Sequence, residues 1–560
     1  MDYDRYRREY AQHLIDMVKS GRMTRRQLLV RASVFGFGAT AAGQLLAACG
    51  GESGGGGVVS PSASGSAGPA PVMGGTLKVA ITPSLTDIDP VTIYDTGGMI
   101  LVAQFCEYLI GLNDDFSLKP VLAESWSANE KADVWTFKLR QGVKFSDGSP
   151  FEAEDVVASI DRLVDPKSGS GALAAFQGIL SPGGTKKVDQ YTVAFNLDKP
   201  FADFPYLVCQ SSYNTVMLPR TYEGDWVKNP VGTGPWLLKQ YVAKQSCTAV
   251  KNPGYWGKDA EGRALPYMDQ VDWVMIEDKA AQTLQLQSGT MDVQAETSFQ
   301  GSQALFSDPN LKVLVFKSPA IRELFLGTDQ DPWTDYRVRQ AFALCLDRPT
   351  INKALFDGRS TLGYDSFWNP DVYVGMPANV VRSQDYAKAK QLLSDAGHAD
   401  GLSVTLSAPN FLEMPQYAQL VQEQCRPAGI NVKVDAVDYN AWYSGGPEDA
   451  PWLNAAAGIV EWAARPTPSV YVQAMLLPDS AWNSSHWNDK EFASRFDEYV
   501  ATVDEASRTD LATQLSQMQQ DQTPIVVSFF VSNLRAMKKN VYGVLGPGES
   551  YIDVAQAYIA

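Results

Sequence analysis

Long apolar runs are missing from this chain of 560 residues. The longest mild stretch, Ala32 to Ala48, is interrupted by Gly36, Gly38, Thr40, Gly43 and Gln44. A membrane-spanning helix needs about 20 consecutive, strongly apolar residues, so a transmembrane anchor fits poorly. Histidine is nearly absent. His13, His398 and His486 are the only three, too few for a histidine-rich metal centre, and no metal or cofactor is expected. The cysteines (Cys49, Cys106, Cys209, Cys247, Cys345 and Cys425) show no CxxC spacing. Neither a zinc ribbon nor a disulfide framework is indicated, and with Cys49 set aside the odd remainder leaves at least one thiol free. Surplus positive charge is lacking too, with 47 Lys+Arg against 63 Asp+Glu and a net charge of −16. Nucleic acid is held chiefly by clustered Lys and Arg, so it is a poor partner for this chain. Acidity favours solubility rather than any one activity.

Aromatic residues, by contrast, are plentiful: 13 Trp, 24 Tyr and 23 Phe. They build cores, and they also line pockets for organic ligands. The N-terminus is equally distinctive. Thr24-Arg25-Arg26-Gln27-Leu28-Leu29 precedes the mild apolar run, which ends in Leu46-Ala47-Ala48-Cys49. This pattern resembles a twin-arginine export signal fused to a lipoprotein cleavage box. The resemblance implies that residues 1–48 are removed as an address. Cys49 then becomes the lipidated first residue of a protein held outside the cytoplasmic membrane.

Residues 49–74 are rich in Gly, Ser, Ala and Pro and read as a flexible tether. Gly51-Glu52-Ser53-Gly54-Gly55 has the Gly-x-Ser-x-Gly form of a hydrolase elbow, but a tether supplies neither the strand nor the helix that such an elbow needs. From Gly75 onward, short strands alternate with helices. Trp135, Phe137 and Leu139 alternate within Val134 to Leu139, which predicts a half-buried strand. Ser146 to Pro150 is a turn. Val156, Ile160, Leu163 and Val164 fall at helical spacing within Glu152 to Val164. Asp385 to Ala396 reads as a helix closed by Gly397, and Ile430 to Ala436 as a strand. The fold class is α/β, with roughly two to four domains on length alone.

Trp135-Thr136-Phe137-Lys138-Leu139-Arg140-Gln141-Gly142-Val143-Lys144-Phe145-Ser146-Asp147-Gly148-Ser149-Pro150-Phe151 closely resembles a segment of the family 5 extracellular solute-binding proteins, the peptide- and nickel-type receptors of ABC importers. Gly74 to Ala80, Leu122 to Trp126, Pro230 to Trp236, Asn252 to Trp256, Arg337 to Ala341 and Ala389 to Gly397 continue the likeness in order. Their bottom-up meaning is mostly structural. Gly142, Gly148, Gly232 and Gly234 are expected at turns, Trp126, Trp135 and Trp256 as core anchors, and Arg140 and Asp155 as charges held between strand and helix. The resemblance implies two lobes joined by a hinge, with a subdomain inserted in the first. Lobe I would take 75–112, 230–318 and 523–560, the insert 113–229, and lobe II 319–522. It further implies a monomer that captures a peptide or peptide-like solute and meets the permease subunits and cytoplasmic ATPase of an importer.

The resemblance also points to ligand contacts. Glu461-Trp462-Ala463-Ala464-Arg465-Pro466-Thr467-Pro468 aligns with a family segment in which an aspartate pairs with a peptide's α-amino group, and Arg465 stands at about that place. Arg465 either clamps a carboxylate bidentately or merely stacks on Trp462. Trp482 is expected as a wall, with Asn483 and Ser485 as neutral hydrogen-bonding groups and His486 as a structural residue. Arg322, Glu323 and Phe325 fall where relatives place cleft side chains, and Thr96 is a first-lobe candidate. A non-peptide carboxylate metabolite or a sugar would suit the same fold, as would a surface sensor without a transporter. A secreted hydrolase would need a nucleophile with its base, or paired carboxylates in a cleft, and none stands out; the chain reads as a binding protein, not an enzyme.

Overall fold

The structure, a computed structural model, describes residues 69–560 apart from 86, 374, 447, 549 and 550. The export signal, Cys49 and the tether as far as residue 68 lie outside the described residues. No described helix is long and apolar enough to cross a membrane.

Three main sheets organise the chain. A seven-stranded sheet runs in the order Leu311–Phe316, Asn533–Lys538, Val293–Thr297, Thr76–Ile81, Gln270–Met275, Ser246–Lys251, Trp236–Val242. Its central trio, built on Thr76–Ile81, is parallel. A six-stranded sheet runs Thr361–Leu362, Ile525–Phe530, Ile321–Leu326, Ala457–Trp462, Leu402–Pro409, Ile430–Val437, with its last three strands parallel. A four-stranded antiparallel sheet, 123–196, lies in sequence between the first two strands of the seven-stranded sheet.

Local sequence explains the elements. Val134–Leu139 buries Trp135, Phe137 and Leu139 on one face, as alternation requires. The following helix is Ala153–Val164, with Glu152 and Asp155 forming a reciprocal capping box. Asp385 caps Tyr386–Asp395, and Gly397 follows that helix at φ +90°. Two expectations are refined. Gly142 and Gly148 do sit at positive φ, but Gly232 and Gly234 do not. A Cβ on either of those would meet the Phe105 carbonyl oxygen, at 2.1 and 2.7 Å, so close approach to a helix end is what demands glycine there. Asp155 and Arg140 are held by different partners. Asp155 accepts from Arg220 at 2.9 Å, while Arg140 lies over Trp256 at 4.5 Å.

Chain crossings between the two large sheets fix the geometry of the site. The chain passes from Phe316 to Ile321 and returns from Phe530 to Asn533. The return therefore falls after Ile525–Phe530, which pairs with Ile321–Leu326 in the six-stranded sheet, and not at 522–523 as expected. Every residue of Ile525–Phe530 is buried, and such a run carries no alternation to say which sheet it joins. The two crossings are bonded together, Val531 N–H donating to the Ala320 carbonyl at 2.7 Å. Tyr471 Oη donates to the Pro319 carbonyl at 2.6 Å.

Candidate functional site

Register places the crossings at one edge of each sheet. Ile321 pairs with both Trp462 and Phe530; Phe316 pairs with Asn533 and Thr297 with Leu534. These are the carboxyl ends of the parallel strands in both sheets, where open α/β sheets hold their ligands. The first sheet contributes the loop after Ile81, with exposed Leu85 and Tyr94, and Thr96, half-buried at the start of helix Thr96–Phe105. A Cβ on Gly97 would lie 2.3 Å from the Thr82 carbonyl, so that helix begins directly against the strand end.

The second sheet contributes more. Trp462 is 5% exposed and is the hub of the cluster. Its Nε1–H donates to Glu323 Oε2 at 2.7 Å. Its ring meets Tyr471 at 6.3 Å, Trp482 at 5.7 Å and the Arg465 guanidinium at 5.6 Å. Trp482 is 44% exposed, a large aromatic surface left toward solvent. Arg465 is half-buried, and its carbonyl accepts from Tyr373 Oη at 2.9 Å. Among the described residues its guanidinium has no carboxylate within ion-pairing distance. Burial pushes the Tyr373 and Tyr213 hydroxyls up, and the Arg465 charge offsets part of the rise in each. Tyr373 and Tyr213 come from segments far from Arg465 in sequence, and the first bonds its carbonyl directly. Both were missed in the sequence, where nothing marks two tyrosines so far from Arg465.

Several expected contacts are committed elsewhere. Asn483 Nδ2 donates to the carbonyls of Leu477 and Trp487, at 3.2 and 2.9 Å, and its Oδ1 accepts from Ser485 Oγ at 2.9 Å. Both residues are buried, so they shape the loop behind Trp482 and offer a solute no free group. Phe325 is fully buried and stacks on Trp442 at 6.5 Å, over Gly458. Arg322, 7% exposed, is ion-paired with Glu413 at 2.7 Å. It lies directly across from Glu461, which accepts from Tyr439 Oη at 2.6 Å. His486, at φ 53°, meets Asp329 at 2.9 Å.

Glu323 is fully buried behind Trp462, with Ser484 Oγ on its other oxygen at 3.1 Å. Burial pushes its carboxyl up to about 8, against the pull of those two hydrogen bonds. A carboxyl held above its ordinary value stabilises the fold fully at low pH, and that contribution is lost as pH rises through about 8. Glu323→Gln keeps an acceptor for the indole without the charge. It is expected to flatten the fall in the urea midpoint between about pH 5 and pH 9. An unchanged slope in the variant would show that Glu323 is ionised throughout that range.

The inserted segment reaches the same region. Asp203, 3% exposed, accepts from Ser469 Oγ and pairs with Arg508, both at 2.5 Å. Ala202 N–H donates to the Val500 carbonyl at 2.6 Å. Ser469 lies in helix Pro468–Met475, which follows Arg465. Among the described residues no group of His, Cys, Asp and Glu is arranged to hold a metal. Among the described residues, this edge brings together the Trp462 and Trp482 rings, the Arg465 guanidinium, and carboxylates that already have partners.

Comparison with known proteins agrees. The chain is 27% identical over 497 residues to the glutathione-binding protein GsiB of Escherichia coli strain K12, covering 83% of this chain and 91% of that one. Its fold matches the structure of HbpA2 from Haemophilus parasuis with a TM-score of 0.76 at 22% identity, over 87% of this chain and all of that one. It also matches the periplasmic binding protein AgaA of A. tumefaciens R10, solved with agropinic acid, with a TM-score of 0.65 at 23% identity, over 87% and 99% of the two chains. GsiB and AgaA are named as binding proteins. Residues 117–484 match the bacterial extracellular solute-binding proteins, family 5, and the chain belongs to that family.

Proposed function

We propose that the protein is a lipid-anchored receptor that captures a peptide-like organic solute bearing a carboxylate and delivers it to an ABC importer. Arg465 carries the reading. It is a half-buried guanidinium without an ion-pair partner among the described residues, laid over Trp462 at the carboxyl edge of the second sheet. A planar cation so placed accepts a carboxylate bidentately, while the exposed Trp482 ring offers an apolar wall. Glutathione and agropinic acid, named for two of the similar proteins, are both carboxylic acids. Closure of the lobes about the paired crossings stabilises the bound form over the open one. The permease and its cytoplasmic ATPase are the partners of this reading, and the receptor acts as a monomer. A sensor without a transporter would use the same cleft.

The experiment is native mass spectrometry of the exported protein, followed by solution scattering with the co-purified compound removed and restored. A bound organic acid is expected, and restoring it should shrink the radius of gyration and raise the melting temperature by mass action. Turnover of the compound, or binding without compaction, would overturn the reading. Anchoring is separately testable. Cys49→Ala is expected to move the protein from the membrane fraction to the soluble one; a membrane-bound, normally cleaved variant would disprove lipidation at Cys49.

A further inference from the structure

A second cavity lies at the far end of helix Thr96–Phe105 from the edge that carries Trp462 and Arg465. The helix begins against the end of strand Thr76–Ile81 and, at about 1.5 Å per residue, carries the chain about 15 Å away. There a cavity of about 140 Å³ opens where four stretches meet. They are the helix end from Gln104 to Tyr108, the hairpin of strands Ile110–Leu112 and Leu118–Pro120, Gln210 of the inserted segment, and strand Tyr551–Asp553. The junction is firmly held. Gln104 Nε2 donates to the carbonyls of Ile552 and Ile100, at 2.8 and 2.9 Å, and the Gln210 backbone N–H donates to the Ile110 carbonyl at 3.1 Å.

The polar groups lining this cavity are of both signs and incompletely matched. Glu107, 8% exposed, accepts from Tyr255 Oη and Trp256 Nε1, both at 2.8 Å, yet burial pushes its carboxyl up to about 7. Asp553 is near enough to add to that rise, and its Oδ1 accepts from the Ala555 N–H at 2.8 Å. Two neighbouring carboxyl groups served by neutral donors are best matched by a cation. Gln210 is 6% exposed, and its Nε2 is buried without a hydrogen-bond partner, a costly state that an acceptor would relieve. Lys119 has no carboxylate within ion-pairing distance among the described residues. Its side chain lies across Gly111, where a Cβ would come 2.7 Å from Lys119 Cε. An ammonium and an orphaned amide N–H are best matched by an anion. Val121, Pro235 and Ile552 make the wall apolar between them.

We propose that this cavity binds one small amino acid as its zwitterion, the carboxylate held by Lys119 and Gln210 Nε2 and the ammonium by Glu107 and Asp553. A lone anion would leave the carboxyl pair unmatched, and a lone cation would leave Lys119 and Gln210 so. The volume, roughly five times a water molecule's share of the liquid, admits alanine or serine and excludes a dipeptide. Such an occupant ties the inserted segment, the hairpin and the strand near the C-terminus to one another. It stabilises the first lobe by mass action and takes no part in holding the importer's solute.

The test is titration calorimetry and thermal melting of the exported protein after removal of co-purified solute, with alanine as the probe. Alanine is expected to bind at one site and to raise the melting temperature. Acetate and ethylamine each lack one charge, and alanylalanine is too large; each should bind at least about tenfold more weakly. Lys119→Met and Asp553→Asn should each weaken alanine by about tenfold or more, while melting without ligand within a few degrees of the parent. Arg465→Ala should bind alanine as the parent does, which separates this cavity from the proposed cleft. The proposal is overturned if alanine gives neither heat nor a raised melting temperature up to about 50 mM. Acetate or ethylamine matching alanine would overturn it too, reducing the cavity to a single-ion site. So would full alanine affinity in Lys119→Met, or its loss in Arg465→Ala.

Discussion

Arg465→Ala is expected to weaken solute binding by roughly 2–4 kcal/mol, the range for removing one partner of a buried, hydrogen-bonded charge pair. The guanidinium has no carboxylate partner in the structure and lies over Trp462 at 5.6 Å, so a carboxylate brought by the solute would be its counterion. Removing the cation strands that anion in a closing, water-poor cleft. Arg465→Lys should recover only part of the loss, because an ammonium lacks the planar fork. Titration calorimetry on the three proteins, with the compound identified by mass spectrometry, decides it. Melting temperatures without solute must stay within a few degrees, since Arg465 is half-buried and its fold contact is made by its carbonyl. Equal affinity across the three would mean that Arg465 merely covers Trp462.

Asp365→Ala should cost about 3–5 kcal/mol of stability, the usual loss on breaking a buried ion pair. Asp365 is fully buried, and Arg348 places Nη2 at 2.8 and 2.6 Å from its two oxygens. Arg382 adds Nη1 at 2.9 Å, and the Val527 backbone N–H reaches Oδ1 at 3.1 Å. Without the carboxylate, two guanidinium groups would remain together in the second-lobe core with no counterion. The midpoint of urea unfolding should fall accordingly, with solute affinity nearly unchanged under conditions where the variant stays folded. Arg348→Met and Arg382→Met combined with Asp365→Leu should regain much of the loss, because an apolar trio strands no charge. Failure of that triple variant to recover would point to the Val527 contact as the larger contributor.

Much of the frame was legible because the local signals are strong. Trp135, Phe137 and Leu139 alternate, Glu152 and Asp155 cap, Gly397 closes a helix, and the structure has each element where those residues put it. The six-residue run Ile525–Phe530 gives no such signal, because burial on both faces erases the pattern that names a partner. The site divides in the same way. Trp462 and Arg465 stand out by motif, and the structure brings them together with Trp482. Asn483 and Ser485 look available in a sequence because residue type does not reveal where hydrogen bonds already go. Asp203, Tyr213 and Tyr373 escape notice altogether: each reaches the region from a distant segment, and only the folded chain brings them near Arg465.

The two crossings, bonded Val531 to Ala320 and held by Tyr471, also bear on how such receptors diversify. These crossings are joined mostly through backbone groups, whereas on the proposed reading the solute is met by side chains projecting from strand ends beside them. On that reading, exchanging a side chain such as Arg465 would change what is recognised and leave the crossings as they are. A lineage can thus inherit its mechanics intact and alter its diet one residue at a time.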